Sequence, residues 1–182
     1  MKKFLIAFLV FTAVLTGGSA DEAAFSVITN NFGARNYAPG AIPKADLDKI
    51  VSAGARAPSA GNRQPWRFIV VSTSALVKKV FRDAPDGNAV VIVLARQTGR
   101  DAAFDCALAT ENIYLAAQAL GYGSRIYVGP LNDINGGLRN ELGISREFNA
   151  VAAVRVGRLP LGVDAASSAS SREPESGLIT YK

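Results

Sequence analysis

The chain carries 20 Lys and Arg against 15 Asp and Glu over 182 residues, with no histidine and a single cysteine, Cys106. The missing imidazole excludes Ser-His-Asp and Cys-His hydrolysis, His-based zinc sites and HExxH proteases, and a lone thiol excludes a disulfide within the chain. The small positive balance is scattered rather than gathered into a basic stripe, so no nucleic-acid partner is expected.

At the N-terminus, Lys2 and Lys3 precede an apolar run from Phe4 to Leu15 and the small residues Gly17, Gly18, Ser19 and Ala20. This layout predicts a signal peptide over residues 1–20, with the mature chain starting at Asp21. The run is shorter than the roughly 20 apolar residues of a membrane helix. The expected product is exported, periplasmic or secreted, with no membrane association after cleavage; an uncleaved N-terminal anchor is the other reading. The remaining 162 residues, 182 less 20, suit one compact domain over 21–182.

A polar opening leads to Pro43, where a helix commonly begins, and Leu47, Ile50, Val51 and Gly54 then follow helical spacing toward Ala57. Pro58, Ser59, Gly61, Asn62 and Pro65 break that pattern and predict a loop from Ala57 to Pro65. Trp66 to Ser72 reads as a buried strand in which Trp66 anchors the loop in the core. A helix from about Ser74 to Arg82 follows, with Ser74 as its cap.

Ala89 to Ala95 is the most apolar strand candidate and Asp101 to Leu120 the best helix, ended by Gly121 and Gly123. Cys106, Ala109, Ile113 and Ala117 share one face of it, so Cys106 belongs to the core. Glu111 reads as a surface carboxylate, with a buried acid as the alternative. Ser124 to Gly129 is a strand, Asn132 to Leu142 a helix weakened by Gly136 and Gly137, and Val151 to Gly157 a further strand. Strands alternating with helices predict an α+β or α/β sheet covered by helices. From about 163 to 182 the chain reads as an arm, a serine-rich linker carrying a terminal strand at Leu178 to Lys182, or else a plain tail.

The segment APSAGNRQPW, Ala57 to Trp66, concentrates groups suited to a planar heterocycle. The amides of Asn62 and Gln64 offer both donors and acceptors, Ser59 adds a hydroxyl, and Pro58 and Pro65 restrict the backbone. An ordinary helix-to-strand connection has the same composition. No GxxxxGK[ST] loop or GxGxxG turn is present, so enzymatic chemistry would rest on a bound organic cofactor.

This segment resembles the signature of the nitroreductase family, close to APSxxNxQPW. Asn31 to Tyr37 is similar to that family's RRSxRxF stretch, with Arg35 and Tyr37 matching and Asn31 and Gly33 replacing an arginine and a serine. Asp105 to Asn112 follows a DxxxxxxN pattern, and ALGYGS (119–124), IYVGP (126–130) and VAAVRVGRLP (151–160) extend the likeness over residues 25–175.

The resemblance implies an α+β three-layer fold, with a mostly antiparallel sheet flanked by helices in an intertwined homodimer whose C-terminal strand reaches the partner. It implies FMN as cofactor, held by Arg35, Pro58, Ser59, Asn62, Gln64, Val128, Gly129 and Arg172. Ser59, Asn62 and Gln64 would act from the partner subunit, Val128 and Gly129 near N5, and Arg172 on the phosphate. No protein nucleophile is required, and hydride or electron pairs would pass from a small-molecule donor such as NAD(P)H to nitroaromatic, quinone or similar acceptors. A flavin carrier or redox sensor is the rival function. Asn31 and Gly33 thin the phosphate pocket, and the short interval before Asp101 implies small or missing lid helices.

Overall fold

A computed structural model describes residues 20–97, 101–162 and 171–182, with side chains from Glu22 onward. Residues 1–19 of the expected signal peptide and residues 163–170 of the expected linker lie outside the described residues, while Ala20 opens α1. The elements are α1 (Ala20–Thr29), α2 (Lys44–Ala55), a 3-10 turn (Ala60–Asn62), β1 (Trp66–Val71), α3 (Ser74–Val80), β2 (Ala89–Arg96), α4 (Ala102–Ala119), β3 (Gly123–Tyr127), α5 (Leu131–Asn135), β4 (Phe148–Gly157) and α6 (Glu175–Leu178).

The strands form a sheet of order β1-β2-β4-β3 in which every pair is antiparallel. Strand β2 reads as a continuous apolar run because both of its faces are covered. Ala89, Val91, Val93 and Ala95 face α2 and α4, whereas Val90, Ile92 and Leu94 face α3 and α5. Three layers result, as expected. Trp66 is 4% exposed and anchors β1, and Cys106 lies in the α4 core stripe with Ala109, Ile113 and Ala117.

The α2 and α4 axes approach closely at Gly54. A Cβ there would stand 2.6 Å from Ile113 Cγ1, so glycine is kept in mid-helix despite its entropic cost. Between Val93 and Leu94 the pairing with β4 skips from Ala152 to Ala150, leaving Val151 as a bulge residue. The bulge flips the alternation, so Ala150 faces α5 while both Val151 and Ala152 turn toward α4.

Several expectations are corrected. The polar opening contains α1, whose exposed Phe25 and Ile28 break its apolar pattern as judged within one chain. Thr73, not Ser74, occupies the position before α3, and no side-chain cap bond forms there. Gly121, at φ +80°, ends α4, while Gly123 already belongs to β3. The helix expected over 132–142 is cut to Leu131–Asn135, because Gly136 leaves helical geometry at φ −102°, ψ −104°. At the C-terminus Glu175–Leu178 forms one helical turn, and Ile179 is extended at φ −114°, ψ 128° without strand pairing. The segment is exposed, so water can satisfy its backbone groups.

Candidate functional site

The turn after α2 is pinned from both ends by α4. Asn112 Nδ2 donates to Ala53 O at 3.0 Å, a carbonyl in the last turn of α2 that also accepts Arg56 N at 3.1 Å. Two helical turns earlier, the buried carboxylate of Asp105 accepts from Ala60 N at 3.0 Å. Arg63 reaches Asp101 at 3.9 Å. Within the turn, Gln64 N donates to Ser59 Oγ at 3.0 Å, and Gln64 Nε2 donates to Asn62 Oδ1 at 3.0 Å. Asn62 and Gln64 both hold positive φ, 53° and 48°, in the left-handed region that L residues rarely adopt. Pro58, Asn62 and Gln64 are exposed and Ser59 half-buried.

A second feature lies where α4 faces the open end of β3. Small residues of α4, Ala103 and Ala107, stand opposite Ile126, Val128 and the bulge residue Val151 across an apolar cleft of about 380 Å³. Val128 is 68% exposed, and a Cβ on the following Gly129 would meet nothing within 4 Å, so this stretch of backbone is approachable. Glu111 lies at the rim; burial pushes its carboxyl up, and the nearby Arg172 guanidinium pulls it down. Tyr114 is raised chiefly by burial and lowered by Gln118 and, least, by Arg172, whose cation therefore lies on this side of α4.

The segment bearing Arg35 runs along β3, with Ala34 N donating to Ser124 O at 2.9 Å and a bridge between Ala38 and Arg158. Gln118 fastens it, accepting from Phe32 N at 3.1 Å and donating to Phe32 O at 3.2 Å. Asn31, where the resemblance expects an arginine, accepts from Tyr114 Oη at 3.1 Å. Over Gly33 lies the Arg125 side chain, whose Cγ is 3.6 Å from the place of a Cβ. Arg35 itself is exposed.

Of the expected site residues, the single chain brings Val128 to the cleft and Arg172 toward its rim. Pro58, Ser59, Asn62, Gln64, Arg35 and Gly129 do not line it. Sequence reasoning assigned no role to Gln118 or Val151, and gave Asp105 and Asn112 only a place in a pattern. Their signal was available for the α4 pair, since a seven-residue spacing puts both on one helix face; the bulge at Val151 left none. Among the described residues no cluster of three His, Cys, Asp or Glu side chains exists that could hold a metal ion.

The profile of the nitroreductase family matches residues 33–91 and 78–158. A protein of Archaeoglobus fulgidus, assigned as an NADH dehydrogenase/NAD(P)H nitroreductase, is 34% identical over 149 residues, which span 75% of this chain and 85% of the relative. In fold, the chain is similar to a nitroreductase with bound FMN from Bacteroides fragilis, at TM-score 0.71 and 24% identity, covering 88% of this chain and 98% of the other. A nitroreductase with bound FMN from Desulfitobacterium hafniense is similar at TM-score 0.72 and 22% identity, over 88% and 98% of the two chains. With the profile covering most of the described sheet and both helices that frame the turn, the chain belongs to the nitroreductase family.

Proposed function

We propose that this protein is an exported FMN-dependent oxidoreductase acting as a homodimer, with each flavin seated between the cleft of one subunit and the amide turn of the other. The observation that carries this reading is the pair of complementary half-sites: an approachable apolar cleft ending at Val128, and exposed amides at Asn62 and Gln64 that do not line it. A dimer supplies the missing half to each. Exposed Phe104, Phe25 and Ile28, together with Leu178 and Tyr181 of the C-terminal segment, are the apolar surface such an association would cover.

The residues present fit FMN. The cleft is within the roughly 300–1,000 Å³ range of small-molecule sites and its small side chains leave room for a planar ring. Asn62 and Gln64 match the donor and acceptor edge of such a ring. Arg172, with Arg35, supplies positive charge for a phosphate, while Asn31 is already engaged by Tyr114 and adds none. When bound, FMN supplies the hydride and electron chemistry. The protein's part would be to orient the ring and exclude water with Ile126, Val128 and Val151, with the open Val128–Gly129 backbone available to its reactive edge. Acceptors such as nitroaromatics or quinones suit a cleft with no lid among the described residues. The name of the Archaeoglobus relative supports a nicotinamide donor.

Protein purified under native conditions should be yellow, elute as a dimer, and reoxidise chemically reduced flavin when a nitroaromatic or quinone is added. A colourless monomer that stays so in excess FMN overturns the reading. A yellow dimer without turnover replaces the enzyme by a flavin carrier, the function that the loss of an arginine at position 31 favours.

A further inference from the structure

An exposed turn carrying two L residues at positive φ should relax unless something opposes it. Two contacts do so, neither of them made by Asn62 or Gln64 side chains. Ser59 Oγ takes the backbone N–H of Gln64 at 3.0 Å and ties the base of the turn across five residues. Asp105, 3% exposed, takes the N–H of Ala60 at 3.0 Å, and its charge lies in the first turn of α4, where the helix dipole favours it. Asn112 fixes the same helix to α2 through Ala53 O, so the turn hangs from two points on one rigid element. Within the single chain the two amides bond each other, Gln64 Nε2 donating to Asn62 Oδ1 at 3.0 Å.

Resting on the flavin reading above, we infer that Ser59 and Asp105 are positioning residues: they hold the strained amide turn in the one conformation that presents Asn62 and Gln64 to the ring. Asp105 acts through the Ala60 backbone and never meets the cofactor. Ser59 acts through the Gln64 backbone, with one lone pair of its hydroxyl oxygen committed inside the turn. The amides then exchange their mutual bond for bonds to the ring without reorganising the backbone, which is the gain that preorganisation brings to affinity.

The test is FMN titration of the full-length apoprotein, read by flavin fluorescence and visible absorbance, beside thermal melting of each variant. Asp105→Ala weakens FMN binding about tenfold or more, and Ser59→Ala about three- to tenfold, as expected for a lost charge-assisted and a lost neutral hydrogen bond. Asp105→Asn, whose Oδ1 still accepts from Ala60, stays within about threefold of wild type. Val77→Ala, in the core on the opposite face of the sheet, lowers the melting temperature and leaves FMN affinity unchanged. Wild-type affinity in Asp105→Ala, or equal losses in the Asn and Ala variants, overturns the assignment; so does FMN loss in Val77→Ala that tracks its melting. Should Asp105→Ala fail to fold, unchanged affinity in Ser59→Ala overturns it alone. A wild type that takes up no FMN defeats the flavin reading itself, whereas a wild type that binds beside insensitive variants defeats only the positioning roles.

Discussion

The two faces of the sheet are built differently. On the α2 and α4 face Ala109, Ala117, Cys106 and Gly54 let the helices approach closely among larger side chains such as Ile50, Trp66 and Tyr122, and polar side chains fasten distant backbone segments. On the α3 and α5 face the core has fewer small residues and contains a buried cation. Arg155, 3% exposed, lies between the rings of Tyr37 at 4.4 Å and Phe81 at 5.5 Å, bonds Asn88 Oδ1 at 3.2 Å and pairs with Asp83 at 3.1 Å. Every element of the candidate site belongs to the first face or its edge. The comparison teaches that tight, small-residue packing is what gives a polar turn a rigid support, while the second face carries stability that is separable from the site.

The sharpest break of this comparison is Arg155→Ala. It leaves the buried Asn88 Oδ1 without its donor and empties the space between two rings, so a loss of about 2–3 kcal/mol is expected from the unsatisfied acceptor and lost packing, with little from the exposed Asp83. Chemical denaturation should report it, and FMN affinity should be unchanged; a variant that also loses flavin would join the two faces. Next is Gly54→Ala, which forces a methyl into Ile113 and costs about 1–3 kcal/mol by overpacking. Here stability and FMN affinity should fall together, because α2 carries the turn. Asn62→Ala and Gln64→Ala should each weaken FMN by about tenfold, near 1.4 kcal/mol, with little change in melting.

The smallest effect concerns Glu111. Its folded carboxyl sits above its unfolded value of 4.5, so the native state binds protons more tightly and stability is lost as pH rises from that value through the folded pKa. Exposure to solvent discounts the effect to about 0.5 kcal/mol or less. Glu111→Gln should flatten this slope in melting curves taken upward from pH 4.5; an unchanged slope would place the titration elsewhere. Cys106 sharpens the same face from inside: burial, and secondarily Asp105, pushes its thiol up to about 11, so labelling at neutral pH should report opening of the α4 core.

Much of the fold was legible because burial leaves a periodic trace. The run at Ala89 to Ala95, the stripe through Cys106 and Ile113, and the anchoring Trp66 are all read from apolar spacing, and the structure bears them out. What failed to read were features without such a trace. Helix α1 exposes Phe25 and Ile28 within one chain, the helix after Leu131 is stopped by Gly136, and Ser74 yields its expected capping position to Thr73. The amide turn was legible by its residues, but its support was not, since Asp105 acts on a backbone N–H forty-five positions earlier.

By itself the sequence determined the alternation of strands and helices, the small-residue face of α4, the chemistry available in the turn and the absence of imidazole chemistry, because these follow from residue type and local period. Only the tertiary structure decided that the turn and the cleft do not meet in one chain, that Val151 is swung by a bulge to the cleft side, and that Asn31 is spent on Tyr114. Those outcomes depend on contacts between distant segments, and the energy of such a contact is a property of the packed pair, which neither segment carries alone.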